Sequence, residues 1–88
     1  MKVTLKRTVR DEKFKEKNVV FKRVVDLPIA PFPELHIGLE GVFYVQKVYV
    51  ELRDDPGGEI VCILEPLIAG NYDEALAWHE TTGWTRLG

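Results

Sequence analysis

The chain has 88 residues, a length that predicts one small domain over residues 1–88. Its hydrophobic fraction of 45% and charged fraction of 30% are ordinary for a globular domain. Nothing approaches the ~20 consecutive apolar residues of a membrane-spanning helix. With one cysteine, no internal disulfide can form, and the N-terminus lacks the apolar core of a signal peptide. We therefore expect a cytoplasmic protein without membrane association.

The net charge of −2 hides an asymmetry along the chain. Residues 1–23 contain nine basic and three acidic side chains, a net charge of +6. Residues 24–88 contain three basic and eleven acidic side chains, a net charge of −8. Such asymmetry is typical of a polyanion-binding face or of a self-complementary assembly. Lysines that solvate a strand or protect a sheet edge produce the same pattern, so both interpretations stay open.

The first predicted element is a long hairpin. Apolar and polar side chains alternate over 2–10, the period of a strand with one buried face, and Arg7 interrupts the apolar row as if near an edge. Residues 18–25, NVVFKRVV, are rich in β-branched side chains and predict the second strand. The charged segment 11–17, with Phe14 in its middle, predicts the tip of the hairpin.

The segment 26–38, DLPIAPFPELHIG, has three prolines within six residues. Pro28 and Pro31 match the P-x-x-P pattern of polyproline ligands, which are recognised as exposed helices. The large apolar side chains between the prolines favour a different interpretation. We expect a semi-rigid crossover that tucks Ile29 and Phe32 into the core and re-enters the sheet near Leu35.

A second hairpin is predicted after the crossover. A short strand over 35–39 precedes the strongest strand pattern, 42–53, whose even-numbered side chains are expected to face the core for most of its length. Phe43 and Val45 add apolar surface on the other face, so we expect the start of this strand to be covered on both sides. The short strand could pair either with the first strand or with the long one. Residues 54–58, DDPGG, predict a turn, and 59–65 is apolar on both faces like a central strand.

The period changes near the C-terminus. Asn71 is a good N-cap, Glu74 follows at the position of a capping-box partner, and Gly83 is a natural stop. These residues bracket a helix of about ten residues, too short to be stable alone, so it must dock on the sheet. The fold class predicted is mainly β (α+β): a small antiparallel sheet or partial barrel of four to five strands in two hairpins, with one short C-terminal helix.

No complete catalytic or metal-binding set is present in the sequence. It contains no serine, and His79 begins an HETTG segment in which Gly83 replaces the second histidine of a zinc helix. His36 is distant in sequence, and Cys62 lies in an apolar strand without a neighbour that would activate it. We expect no enzyme, no catalytic residue, no metal and no cofactor.

Two surfaces are candidates for binding. The hairpin tip combines cations for phosphates with an aromatic ring for an unpaired base, and its predicted nucleic-acid contacts are Lys13, Phe14, Lys15 and Lys17. The C-terminal aromatic residues either pin the helix to the sheet or form a protein interface. The predicted interface residues are Tyr72, Trp78 and Trp84.

The sequence predicts more apolar strand surface than one short helix can cover. A homodimer that pairs sheets or strand edges would cover it. We therefore expect a non-enzymatic protein-interaction module, forming a homodimer and binding a protein partner that the sequence does not identify. The alternative is a nucleic-acid-associated protein that binds through the basic N-terminal hairpin.

Overall fold

The computed structural model describes residues 1–52 and 57–87, in which seven strands form one open sheet beneath a single helix. The sheet order is β3-β4-β5-β1-β2-β7, and β6 pairs with β1 beyond the end of β5. The elements are β1 Lys2–Asp11, β2 Asn18–Asp26, β3 His36–Leu39, β4 Gly41–Glu51, β5 Glu59–Leu64, β6 Leu67–Ala69, α1 Tyr72–Thr81 and β7 Thr85–Arg86. The mainly β class with one short helix is confirmed, but the prediction of four to five strands was too low.

Both predicted hairpins are present. β1 and β2 pair antiparallel along their whole length, and β4 pairs antiparallel with β5. The predicted turn over 54–58 lies partly outside the described residues. β3 pairs with β4, which answers the question left open by the sequence.

The two hairpins lie side by side with β1 parallel to β5, so the sheet is mixed. The predicted antiparallel pairing is confirmed for most of the sheet, and the two parallel pairs, β1 with β5 and β1 with β6, were not predicted. Parallel neighbours require a long connection, and here the chain passes through the crossover and the β3–β4 hairpin before β5 is reached. β5 lies between β4 and β1, which explains why its sequence is apolar on both faces.

The sequence did not predict β6 and β7, of three and two residues. Pro66 has no N–H to donate to a ladder, and the chain resumes pairing at Leu67, opposite Val9 of β1. Thr85 and Arg86 extend the other side of the sheet by pairing with β2 after the helix. Segments this short carry no periodicity from which they could be read.

One face of the sheet holds the core, closed by α1 and by the β3–β4 end of the sheet. A hydrogen bond from Arg23 Nη1 to the Thr82 carbonyl (2.7 Å) ties β2 to the end of α1, and an ion pair with Glu40 (2.9 Å) ties β2 to the β3–β4 turn. The buried apolar cluster comprises Val3, Leu5, Val9, Val19, Phe21, Ile37, Phe43, Val45, Cys62, Leu64, Ala69 and Trp84.

The helix begins and ends as predicted. Asn71 Oδ1 accepts a hydrogen bond from the Glu74 N–H at 3.1 Å, which makes Asn71 the N-cap. Gly83 follows the C-cap with a φ of +91°, a conformation that glycine adopts without steric cost.

A β-bulge in β4 changes which side chains face the core. The register shifts between Val45, opposite Leu64, and Lys47, opposite Ile63, so one extra residue reverses the alternation. Phe43 and Val45 are consequently buried, as expected for a strand start covered on both sides, but Val42 of the even-numbered row, predicted to face the core, is 71% exposed. That prediction was wrong also at the far end of the strand, where Val50 is 56% exposed.

The crossover lies across the molecule in a different way from that predicted. Ile29 and Phe32 are about half exposed, whereas Leu27 and Leu35 at its two ends pack against the core. The prediction that Ile29 and Phe32 would be tucked in was wrong. Because the three prolines fix φ and restrict the residues before them, the segment stays extended between two anchored ends and its middle remains on the surface.

Candidate interaction surfaces

A buried histidine and a half-buried arginine lie at the centre of the core, between β1 and α1. The His79 ring is fully buried, with Nδ1 2.7 Å from the Ala75 carbonyl and Nε2 3.3 Å from Arg7 Nη1. It stacks on Phe21 with ring centroids 4.9 Å apart, and Trp78 approaches it edge-on at the same distance.

The environment of His79 favours its neutral form. Burial lowers the pKa of His79 and the Arg7 cation lowers it further, while the hydrogen bond to Ala75 opposes the shift. The neutral ring then donates from Nδ1 and accepts at Nε2 the hydrogen bond from Arg7. Both ring nitrogens are thus engaged inside the protein, so His79 has a structural role here.

Arg7 faces the core from the central strand β1, and the prediction that it lies near an edge was wrong. Its guanidinium carbon is 4.7 Å from the centroid of Phe43, a cation–π contact, and Nε is buried without a hydrogen-bond partner among the described residues. Burial lowers the pKa of Arg7, and the nearby Glu65 carboxylate opposes that shift. A charged residue inside an apolar row was the sequence signal for this arrangement.

Arg7 also lines an open cleft of about 400 Å³ between β4 and the β5–β6 connection. His36, Tyr44 and Glu65 contribute its other polar groups, and the rings of His36 and Tyr44 meet edge to face at 5.1 Å. The cleft thus brings together four polar side chains that lie in separate segments of the sequence. Its cation and carboxylate offset each other, so it has no strong preference for an anion or for a cation.

The four residues predicted at the hairpin tip lie together in one exposed turn. Phe14 is 51% exposed. Lys17 Nζ lies 5.1 Å from the centroid of the Phe14 ring and covers one face of that ring. The backbone N–H of Lys13 donates a hydrogen bond to the Asp11 carboxylate at 2.9 Å. Lys15 is exposed. The tip segment 11–17 carries three lysines and three acidic residues, so its net charge is zero.

The predicted aromatic interface residues differ in exposure. Trp84 is 4% exposed, with its ring 5.3 Å from Phe43, and belongs to the core cluster. Trp78 and Tyr72 on α1 are half-buried and pack against that cluster. The three residues thus join the helix to the sheet, and only Tyr72 and Trp78 offer part of their surface to a partner.

An additional surface that the sequence analysis did not identify is the outer edge of β4. β3 pairs with β4 only over Gly41–Tyr44, and the last bonds on that side join residues 34 and 35 to Val45. Among the described residues, no strand pairs with the outer edge of β4 over 46–51. β4 has eleven residues and β3 only four, which leaves this part of the edge uncovered.

Compared with known proteins, the chain matches no family model, no curated protein and no solved structure. Over residues 1–52 and 57–87, no three histidine, cysteine or acidic side chains are grouped so that they could hold a metal ion. In the same residues, no helix is long and apolar enough to cross a membrane.

Proposed function

We propose that the protein is a non-enzymatic interaction module that forms a homodimer through the outer edge of β4. Unpaired strand edges present N–H and C=O groups to any strand that can pair with them. Two copies related by a two-fold axis would bring their β4 edges together as antiparallel neighbours and make one continuous sheet. The observation that carries the proposal is the self-complementary sequence of this edge.

The register of this pairing follows from placing the two-fold axis at Tyr49. Directly opposed residues of an antiparallel pair lie on one face, so Tyr49 meets Tyr49 of the second copy. On the same face, Lys47 lies opposite Glu51 of the second copy, and the symmetry repeats this opposite-charge pair. On the core face, Val48 lies opposite Val50 of the second copy, also twice. Every cross-strand pair over 47–51 is therefore aromatic, apolar or oppositely charged.

Two features of one copy support this register. Val50 is 56% exposed although it lies on the core-facing row, so an apolar side chain is left without a neighbour on that side. Glu51 lies directly opposite Glu59 across the β4–β5 pair. Like charges opposed in this way destabilise a sheet, and Lys47 of the second copy would bring a cation to the other side of Glu51.

Tyr72 and Trp78 are the proposed contact for a different protein partner. Both side chains lie on α1 and pack partly against the core, and each keeps part of its aromatic surface exposed. Aromatic side chains of this kind contribute strongly to interfaces. In this proposal Trp84 supports the contact from the core by holding the end of the helix in place.

The homodimer is tested by sedimentation equilibrium of the wild type and of two matched variants. We expect the wild type to be dimeric at about 100 µM, well above a micromolar Kd. Val50→Asp is expected to be monomeric, because it buries a charge beside Val48 of the second copy. Val42→Asp is the control, since Val42 is 71% exposed on the part of β4 that already pairs with β3, and it should remain dimeric. A monomeric wild type would overturn the proposal.

A further inference from the structure

The sheet face opposite the core carries a cross-strand row of lysines. Lys6 of β1 lies directly opposite Lys22 of β2, and on its other side Lys6 lies opposite Ile63 of β5. Lys47 of β4 lies opposite Ile63 and continues the row. Because neighbouring strands are about 4.8 Å apart, the backbones bearing Lys6 and Lys22 are only that far from each other.

The charges of this row are not neutralised within the described residues. Neither Lys6, Lys22 nor Lys47 forms an ion pair in that part of the chain. Two like charges placed directly opposite each other destabilise a strand pair. The arrangement therefore stores a repulsion that an anion bound between the two side chains would relieve.

The charge of the basic hairpin lies mainly on this face. The inward-facing cations Arg7 and Arg23 are engaged with groups of the core side, at His79, Thr82 and Glu40. On the open face, β1 and β2 carry four cations and one acid: Lys2, Lys6, Arg10, Lys22 and Asp26. The hairpin tip has a net charge of zero. The positive charge that the hairpin offers to a ligand therefore lies mainly on the open face.

An apolar row lies next to the lysine row. Tyr49 lies opposite Val61, Val61 opposite Thr4, and Thr4 opposite Val24. Val24 is 54% exposed, and a depression of about 350 Å³ beside it is lined in part by Gly57, Gly58 and Glu59. Thr4 and Val61 are 4% and 0% exposed, so Val24 and the partly exposed Tyr49 ring are the accessible members of the row. Cations beside exposed apolar and aromatic side chains are used to bind unpaired bases.

We propose that this open face binds single-stranded nucleic acid, with phosphates at Lys6, Lys22 and Arg10 and bases against Val24 and the exposed part of the Tyr49 ring. Bare strand faces of this kind can meet phosphates with flexible ammonium groups and bases with apolar side chains. The inference does not rest on the proposed homodimer, because the phosphate contacts lie on β1 and β2, away from the β4 edge that the dimer would use.

The test is fluorescence anisotropy with a labelled oligothymidylate of about 20 nucleotides, longer than one such binding site. The wild type is expected to bind at about 50 mM salt and to weaken steeply towards about 200 mM. K6E/K22E is expected to lose at least about 10-fold in affinity, since two phosphate contacts become repulsive. K13E/K15E makes the same change of charge at the tip and is expected to stay within about 3-fold.

A second variant of the open face controls for misfolding of K6E/K22E. K6T/K22T replaces the like-charge pair with a favourable cross-strand pair, so the fold should hold while the salt dependence of log Kd falls by about 0.7 per lost contact. Absence of binding by the wild type at low salt would overturn the proposal. Equal losses for the face and tip variants would do so too, as would equally tight binding to vesicles containing phosphatidylserine, which would indicate a membrane surface instead.

Discussion

K47E is expected to weaken dimerisation by about 100-fold or more, because each like-charge contact across an interface costs several kcal/mol and the symmetry creates two. The glutamate at position 47 would face Glu51 of the second copy. K47E/E51K exchanges the two charges and restores both opposite-charge pairs, so dimerisation should return. Sedimentation equilibrium of the single and double variants measures both effects.

E51K alone separates the interface from the fold. It should weaken the dimer, since the lysine at position 51 would face Lys47 of the second copy. It should also raise the melting temperature of the single copy, because that lysine would lie opposite Glu59 in the same sheet. If K47E/E51K stayed monomeric while both single variants folded normally, the register centred on Tyr49 would be wrong.

Phe21→Ala is expected to lower the free energy of unfolding by about 3–5 kcal/mol. Phe21 is fully buried and its ring stacks on His79 at 4.9 Å, so its removal leaves a cavity and exposes the buried imidazole on one side. Urea denaturation followed by tryptophan fluorescence measures the change, because Trp84 lies in the same cluster.

Phe32→Ala is the matched control for the core. Phe32 is 49% exposed on the crossover, and substitutions at such sites usually change stability by less than about 1 kcal/mol. A loss of stability as large as that of Phe21→Ala would mean that Phe32 is packed into the core, as the sequence predicted. It would contradict the exposed position of Phe32 on the crossover.

Local patterns were sufficient to predict the elements that depend on near neighbours. The alternation over β1, the β-branched run of β2 and the apolar run of β5 each predicted a strand that is present. The helix was predicted with its caps, because an N-cap and a C-terminal glycine act within one turn of the chain. These signals need no knowledge of the strand order.

The features that were missed depend on contacts between distant segments. The parallel pairing of β1 with β5 is decided by how two hairpins lie beside each other, and neither sequence encodes that alone. The bulge near Gln46 reverses the alternation of β4 in order to bury Phe43 and Val45, while still placing Val48 on the core side. A period-two pattern read without a bulge must assign one half of such a strand to the wrong face.

Among the candidate surfaces, too, those formed by sequence neighbours could be predicted and those formed by distant segments could not. The hairpin tip could be predicted because its residues are adjacent in sequence, as are Lys13 and Phe14. The edge of β4 and the opposed pair Lys6 and Lys22 could not, since they follow from strand order and register. Arg7 was visible as a charge in an apolar row, but its contact with His79 joins residues 72 positions apart.

Oxidative cross-linking of Tyr49→Cys tests the central claim most directly. On the two-fold axis, the Cβ atoms of position 49 in the two copies would lie about 4.5–5.5 Å apart, near the separation that a disulfide requires. Cys62 is buried and burial raises the pKa of its thiol, so it does not compete for oxidation. We predict rapid formation of a covalent dimer by Tyr49→Cys and little by the exposed control Val42→Cys. Equal rates for the two variants would contradict a homodimer that pairs its β4 edges at Tyr49.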